Sequence, residues 1–183
     1  MPTINHSFDK TWTLFLDRDG VINERLEGDY VKDWKDFSFM PDVPRSMEKL
    51  AETFGRTLIV TNQAGIGKGL MTEKKLHDIH AQMLKTIHLL DGRIDRIYYC
   101  PDLPDSGSSL RKPETGMAEQ AKKDFPEIDF SRSLMIGDSL SDIQFGKRLG
   151  MTTVLIEGKP DDFSSATPDY RFESLPEFVK ALD

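Results

Sequence analysis

The sequence predicts an α/β fold, a Rossmann-like three-layer sandwich around a central, mostly parallel sheet. Short apolar runs of strand length recur along the chain, stretches of helical periodicity separate most of them, and two of the runs end in acidic, glycine-containing turns. In open sheets of this kind ligands bind in the crevice beyond the carboxyl ends of the strands, so chemistry is expected at those turns.

The first strand, Thr13–Leu16, is short enough to be buried and leads into Asp17-Arg18-Asp19-Gly20, where Gly20 permits the backbone angles of a turn. Residues 23–41 follow without helical period. They carry Tyr30, Trp34, Phe37 and Phe39 among charges, which is too aromatic for a disordered linker and suits a flap, with Trp34 and Phe39 expected in the core. A helix is predicted over 42–54, with Pro44 in its first turn, Met47, Leu50 and Phe54 on one face, and Gly55 as the stop. The second strand is 57–60. Thr72 then caps a helix in which Leu76, Ile79, Met83, Ile87 and Leu90 keep helical spacing up to Gly92. A third strand at 94–99 and a Pro-, Ser-, Asp- and Gly-rich surface loop at 101–113 come next. Pro113 suits the first turn of a helix over 115–125, with Met117, Ala121 and Phe125 inward. A strand at 133–136, a helix from Ser139 or Leu140 to Leu149 closed by Gly150, and a strand at Thr152–Ile156 complete the alternation. The tail from 158 adds a short strand at Tyr170–Phe172 and a helix from Leu175 or Pro176 to Leu182.

At 183 residues, 30% charged and 38% hydrophobic, the chain suits one domain spanning 1–183, with no repeat or linker. Its apolar runs fall far short of the roughly 20 residues a bilayer span needs, and residues 1–12 do not read as a cleaved leader, so a cytoplasmic location and no membrane partner are expected. Cys100 is the only cysteine, which excludes an intrachain disulfide and a multi-cysteine zinc cluster from this chain; a small buried residue is its expected role. Thirty-one acidic against 24 basic residues give a net charge of −7, opposite to the basic surface that bulk nucleic-acid binding needs. An anionic substrate would have to be held locally.

Four segments offer polar groups at strand ends or beside them. Beyond Asp17 and Asp19, the second strand runs into Thr61-Asn62-Gln63-Ala64-Gly65-Ile66-Gly67-Lys68-Gly69, a glycine turn that can present backbone N–H groups to a phosphate. Arg111-Lys112-Pro113 supplies adjacent cations, and the fourth strand ends in Gly137-Asp138-Ser139, with Asp142 one helical turn on. Taken singly these are a turn, a solvated charge pair and a helix cap. Together, Asp17, Asp19 and Asp138 make an oxygen-rich site suited to Mg²⁺, and Thr61, Asn62 and Lys112 would bind phosphate oxygens. His77 and His80 share a helix at i, i+3, but no third ligand is indicated and both are expected in solvent rather than on a metal.

In these motifs the chain resembles the haloacid dehalogenase superfamily of phosphatases: Asp17-Arg18-Asp19-Gly20, Thr61-Asn62-Gln63, Lys112, and Gly137-Asp138 with Asp142, in that order from Leu14 to about Ile156. Asp-Arg-Asp-Gly-Val-Ile-Asn, Tyr98-Tyr99-Cys100-Pro101 and Arg111-Lys112-Pro113 look most like the D-glycero-D-manno-heptose 1,7-bisphosphate phosphatases, with histidinol-phosphate phosphatases as close relatives. The resemblance implies a small flap and no large cap domain, Asp17 as nucleophile, Asp19 as acid/base, and Thr61 and Lys112 on the phosphoryl oxygens. It also implies Mg²⁺ on Asp17, the Asp19 main-chain carbonyl and Asp138, with Asp142 in an outer shell or on a metal-bound water. Asn62, Lys68 and Arg111 would contact substrate, a small phosphorylated metabolite, read as a sugar bisphosphate bound by a monomer. To serve as an acid, Asp19 would need its proton favoured by neighbouring carboxylates.

The structural zinc loop of those relatives, Cys-x-His followed by Cys-x-Cys, is reduced here to Cys100, with Asp102 where the His would stand, so no structural zinc is expected. Histidinol-phosphate hydrolysis, polynucleotide 3′-phosphate hydrolysis and a non-enzymatic phosphoacceptor signalling domain stay open as alternatives.

Overall fold

A computed structural model describes residues 4–157 and 162–182. Residues 1–3 of the polar N-terminal stretch and the start of the tail at 158–161 lie outside the described residues. The element order is β1 (Thr13–Leu16), α1 (Val43–Thr53), β2 (Arg56–Asn62), α2 (Glu73–His88), β3 (Arg96–Cys100), α3 (Gly116–Asp124), β4 (Ser133–Gly137), α4 (Leu140–Arg148), β5 (Thr152–Ile156), β6 (Tyr170–Phe172) and α5 (Leu175–Lys180). Short 3₁₀ turns lie at Trp34–Asp36, Phe130–Arg132 and Phe163–Ser165.

The strands form one six-stranded sheet in the order β3-β2-β1-β4-β5-β6, and every neighbouring pair is parallel. The strands are buried because they carry apolar side chains on both faces: Leu14 and Leu16 point to one layer and Phe15 to the other. Under the first face pack Val43, Met47 and Leu50 of α1, Leu76, Ile79, Met83 and Ile87 of α2, and Leu175 and Phe178 of α5. Under the second lie Met117, Ala118 and Ala121 of α3 and Phe145 of α4. This is the predicted three-layer sandwich. Among the described residues no helix is long and apolar enough to cross a membrane.

Three local expectations are corrected. The third strand starts at Arg96 rather than 94, because Asp95 is already spent on β2: its carboxylate accepts the Thr57 N–H at 2.7 Å and its own N–H donates to the Thr57 carbonyl at 2.8 Å. Leu90 does not extend the apolar stripe of α2. The helix ends at His88, Asp91 turns left-handed at φ +58°, and Leu89 and Leu90 are exposed. Pro113 does not open α3 either, since that helix begins only at Gly116, whose N–H donates to the Ser109 carbonyl at 2.9 Å.

The segment between β1 and α1 divides in two. Trp34 stacks on Phe37 at 4.9 Å between ring centroids, Phe37 meets Phe39 edge-on at 4.9 Å, and all three pack on the core. Bridges from Asn23 to Asp19 and to Phe39 tie the segment's two ends to each other and to the turn that follows β1. Residues 25–31 are left to reach over the strand ends. Phe37→Ala removes the ring at the centre of this aromatic group and is expected to cost about 3 kcal/mol of unfolding free energy in urea titration.

Candidate active site

In the strand order 3-2-1-4-5-6 the winding reverses between β1 and β4, which places the ligand crevice of an open α/β sheet beyond the ends of those two strands. Asp17 follows β1 and Asp138 follows β4, with Leu16 in register with Ile136. The Asp17 N–H donates to the Ile136 carbonyl at 2.9 Å, so the ladder itself sets where that carboxylate stands.

Beside Asp17 the Lys112 ammonium is buried, donating to the Val60 carbonyl at 2.7 Å and ion-paired with Asp17 Oδ1 at 3.0 Å and Asp142 Oδ1 at 2.6 Å. Burial pulls the lysine pKa down, but Asp142 and Asp17 outweigh it and hold it above the ordinary value. Asn62, at the end of β2, clamps the Lys112 backbone from both sides, accepting its N–H at 3.0 Å and donating to its carbonyl at 3.2 Å. Asp142 also receives the Ser139 N–H and hydroxyl at 3.1 and 2.6 Å, so one carboxylate steadies the start of α4 and neutralises the lysine. It fits there only because position 137 is glycine: a Cβ would stand 2.1 Å from that of Asp142.

Asp19 sits in a different environment. Its carboxylate receives Arg18 Nη2 at 2.8 and 3.0 Å, Asn23 Nδ2 at 2.9 Å and Gln63 Nε2 at 2.8 Å. Burial raises its pKa, but the Arg18 charge and these donors more than reverse that and keep it below the ordinary carboxylate range. This corrects the expectation that carboxylate neighbours favour its proton: its neighbours are donors, and Asp19 rests ionised.

Arg18 is wholly buried, and its Nη1 lies 3.2 Å from His80 Nε2. His80 is therefore not in solvent as expected; it is 5% exposed and serves as an acceptor behind Arg18, while His77 is exposed and lies 3.2 Å from the Tyr99 hydroxyl. The signal was present, because position 80 is four residues after Leu76 and three before Met83, on the apolar stripe of α2. Arg18 and Gln63 carried no such signal, since the contacts that place them, Arg18 with His80 and Gln63 with Asp19, join residues remote in sequence.

Carboxylate oxygens of Asp17, Asp138 and Asp142 lie within 4.8 Å of one another. Burial first and mutual repulsion second raise Asp17 and Asp138, the latter to about 7. Such a group of buried carboxylates is the chemistry a hard divalent cation relieves. Asp142 already spends its oxygens on Lys112 and Ser139, which leaves Asp17 and Asp138 as the freer pair. The Asp19 main-chain carbonyl turns toward them, and Arg25 Nη2 touches it at 3.0 Å, Asp138 Oδ1 at 2.5 Å and, more distantly, Asp17 Oδ2 at 4.0 Å. Gly20, at φ +91°, makes this convergence possible, because a Cβ there would stand 2.0 Å from Asp138 Oδ2.

Over these groups opens a cleft of about 740 Å³, floored by Asp17, Asp19 and Lys112 and walled by Arg25, Asn62, Lys68 and Arg111 with flap residues 26–31. Lys68 lies 5.2 Å over the Tyr30 ring, and Arg111 donates to the Asp102 carbonyl at 3.1 Å. Thr61 is buried, and its hydroxyl accepts Gln63 Nε2 at 3.0 Å. Cys100 is buried as expected, its thiol 3.6 Å from Asp102 Oδ2 and 3.8 Å from Ser108 Oγ, and burial raises its pKa.

A HAD-hydrolase-like family model matches residues 109–178. The chain is 34% identical over 176 residues to a D-glycero-alpha-D-manno-heptose-1,7-bisphosphate 7-phosphatase of Mycobacterium bovis, covering 93% of this chain and 91% of that protein. With the enzyme of the same name from Campylobacter jejuni the identity is 38% over 157 residues, covering 84% and 88%. Among solved structures, the D,D-heptose 1,7-bisphosphate phosphatase of B. bronchiseptica, crystallised with magnesium and phosphate, superposes with a TM-score of 0.85 at 26% identity, over 93% of this chain and 97% of that one.

Two consequences are measurable. His80 titrates near 3 when folded and near 6.5 when unfolded, because burial, then the Arg18 charge, oppose its protonation. Between those values the unfolded chain binds the proton and the folded one does not, so His80 lowers stability as pH falls from about 6.5, at up to about 1.4 kcal/mol per pH unit. In His80→Gln, whose amide oxygen can still accept from Arg18, urea titrations from pH 7 to 4.5 should show a correspondingly shallower loss. Gly20→Ala pushes a methyl into Asp138 and is expected to destabilise the protein by about 1–3 kcal/mol in the same assay.

Proposed function

Because the chain belongs to the haloacid dehalogenase-like phosphatases of the heptose-1,7-bisphosphate 7-phosphatase family, we propose that it removes the C7 phosphate of D-glycero-D-manno-heptose 1,7-bisphosphate through an aspartyl phosphate. The observation that carries the reading is the contrast between two carboxylates two residues apart. Asp17 stands among other carboxylates beside an ammonium at the cleft floor, whereas Asp19 is gripped by donors.

Asp17 is the nucleophile, attacking phosphorus in line and forming an acyl phosphate. Lys112 opposes the rise that burial imposes on the Asp17 pKa and offers positive charge to the transferring phosphoryl oxygens, and Thr61 completes that side. Bound Mg²⁺ would supply the charge that lets a carboxylate and a phosphate approach, and Asp17, Asp138 and the Asp19 carbonyl are the oxygens to hold it, with Asp142 behind them. The ionised Asp19 is ready to take a proton from the water that cleaves the acyl phosphate. In the first half-reaction, as Asp17 bonds to phosphorus and the P–O bond to C7 breaks, Asp19 gives a proton to the departing alkoxide, and it must first gain that proton, which the negative charge of an entering phosphoryl group favours.

Lys68 and Arg111, on the cleft walls, suit the second phosphate of a bisphosphate. Asn62, with both amide ends engaged by Lys112, acts first as a support for that lysine. A charged metabolite of this kind is retained by membranes, which fits a monomeric cytoplasmic enzyme. No structural zinc belongs to this reading, since Cys100 is the one thiol of the chain and faces Asp102 and Ser108. The acidic balance of the chain argues against polynucleotide substrates.

Phosphate release should be measured side by side from heptose 1,7-bisphosphate, histidinol phosphate and a 3′-phosphorylated oligonucleotide. The bisphosphate is expected to lead by about tenfold or more in kcat/KM, with loss of turnover in EDTA and in Asp17→Asn. Equal turnover of histidinol phosphate would shift the substrate assignment, and a stable acyl phosphate without turnover would favour a signalling role.

A further inference from the structure

Arg25 belongs to no motif that the chemistry above uses. It lies in the flap, yet its Nη2 reaches the three oxygens assigned to the divalent cation: 2.5 Å from Asp138 Oδ1, 3.0 Å from the Asp19 carbonyl and 4.0 Å from Asp17 Oδ2. The way it is held is unusual for arginine, which favours two parallel bonds to one carboxylate. Here a single nitrogen is used as a point cation among oxygens from two strand ends. Nε is buried with no hydrogen-bond partner, and the side chain is 30% exposed toward the cleft. One nitrogen is well placed and the rest of the group is poorly satisfied, as befits a ligand that can leave.

We propose that Arg25 is a tethered cation that occupies the divalent-cation position until Mg²⁺ displaces it, so that metal binding and the placement of flap residues 24–31 are coupled. The argument rests on the metal-dependent phosphatase reading. Without a positive charge at that point, Asp17, Asp138 and Asp142 would share the counter-charge of Lys112 alone. With Arg25 in place the cradle keeps its shape, and Mg²⁺ must compete with a group whose local concentration the chain fixes. Once displaced, the guanidinium is still on the cleft wall, where it adds to the positive charge facing an anionic substrate.

The test compares the wild type, Arg25→Gln and Lys32→Gln, the last removing a flap charge that pairs with Asp29. Calorimetric titration with MgCl₂, without substrate, should show Arg25→Gln binding Mg²⁺ about fivefold or more tightly, the lower end of ordinary coupling between linked sites. Lys32→Gln should stay within about twofold of the wild type. Metal-free Arg25→Gln should melt at a lower temperature than metal-free wild type, and Mg²⁺ should close that gap. Amide exchange in residues 24–31 should rise when Mg²⁺ is added to the wild type and stay unchanged in Arg25→Gln. Equal Mg²⁺ affinity in the wild type and Arg25→Gln would overturn the proposal and leave the phosphatase reading intact. If neither protein binds Mg²⁺, both fall.

Discussion

The Lys112 ammonium is out of water with its full charge, and it is tolerated there because the Val60 carbonyl accepts a hydrogen bond from it and the Asp17 and Asp142 carboxylates pair with its charge. Those three partners come from β2, from the end of β1 and from α4, so one side chain from the loop before α3 fastens three parts of the fold. Removing one partner from such a group leaves an uncompensated buried charge, a penalty of about 3–5 kcal/mol. The Asn62 clamp and the Ser139 bonds to Asp142 follow from the same need, because a buried charge whose partners could drift would have no reason to stay. The arrangement that keeps the protein folded is therefore also the one that aims Asp17 and sets a cation beside it.

Much of this was legible in the sequence. Strand runs and the turns that end them are local signals, so β1, β5 and β6 fall on the residues expected, and Asp17, Asp19, Lys112 and Asp138 converge as the motifs implied. Boundaries moved where a side chain intervened, as Asp95 does at β3, or where the backbone turned left-handed, as at Asp91. Illegible were the roles of arginines. Arg18 between two aspartates reads as solvated charge, and only the fold shows that it is wholly buried, with His80, 62 positions away, as its counterpart. The carboxylate neighbours that an acid at Asp19 would need are likewise not what the fold supplies: Arg18, Asn23 and Gln63 donate to it instead.

The flap shows how one segment serves two ends. Its aromatic half is bound to the core by Trp34, Phe37 and Phe39, which fixes where the polar half begins. The polar half, carrying Arg25, Tyr30 and Val31, lines the cleft. At its far end Val31 is itself buried in the core and Leu26 packs against it, so the polar half is held by apolar contacts as well as by the Arg25 bonds to the floor.

The pairing of Leu16 with Ile136 has a wider consequence. Adjacent strands are separated by a hydrogen-bonded distance of about 4.8 Å that side-chain changes scarcely alter. Groups launched from neighbouring strand ends thus inherit a ruler made of backbone, and their spacing is insulated from mutation elsewhere. Lid, loop and cleft wall can be rebuilt for a new substrate while the reacting oxygens keep their separation, so specificity can drift in this architecture without the chemistry having to be invented again.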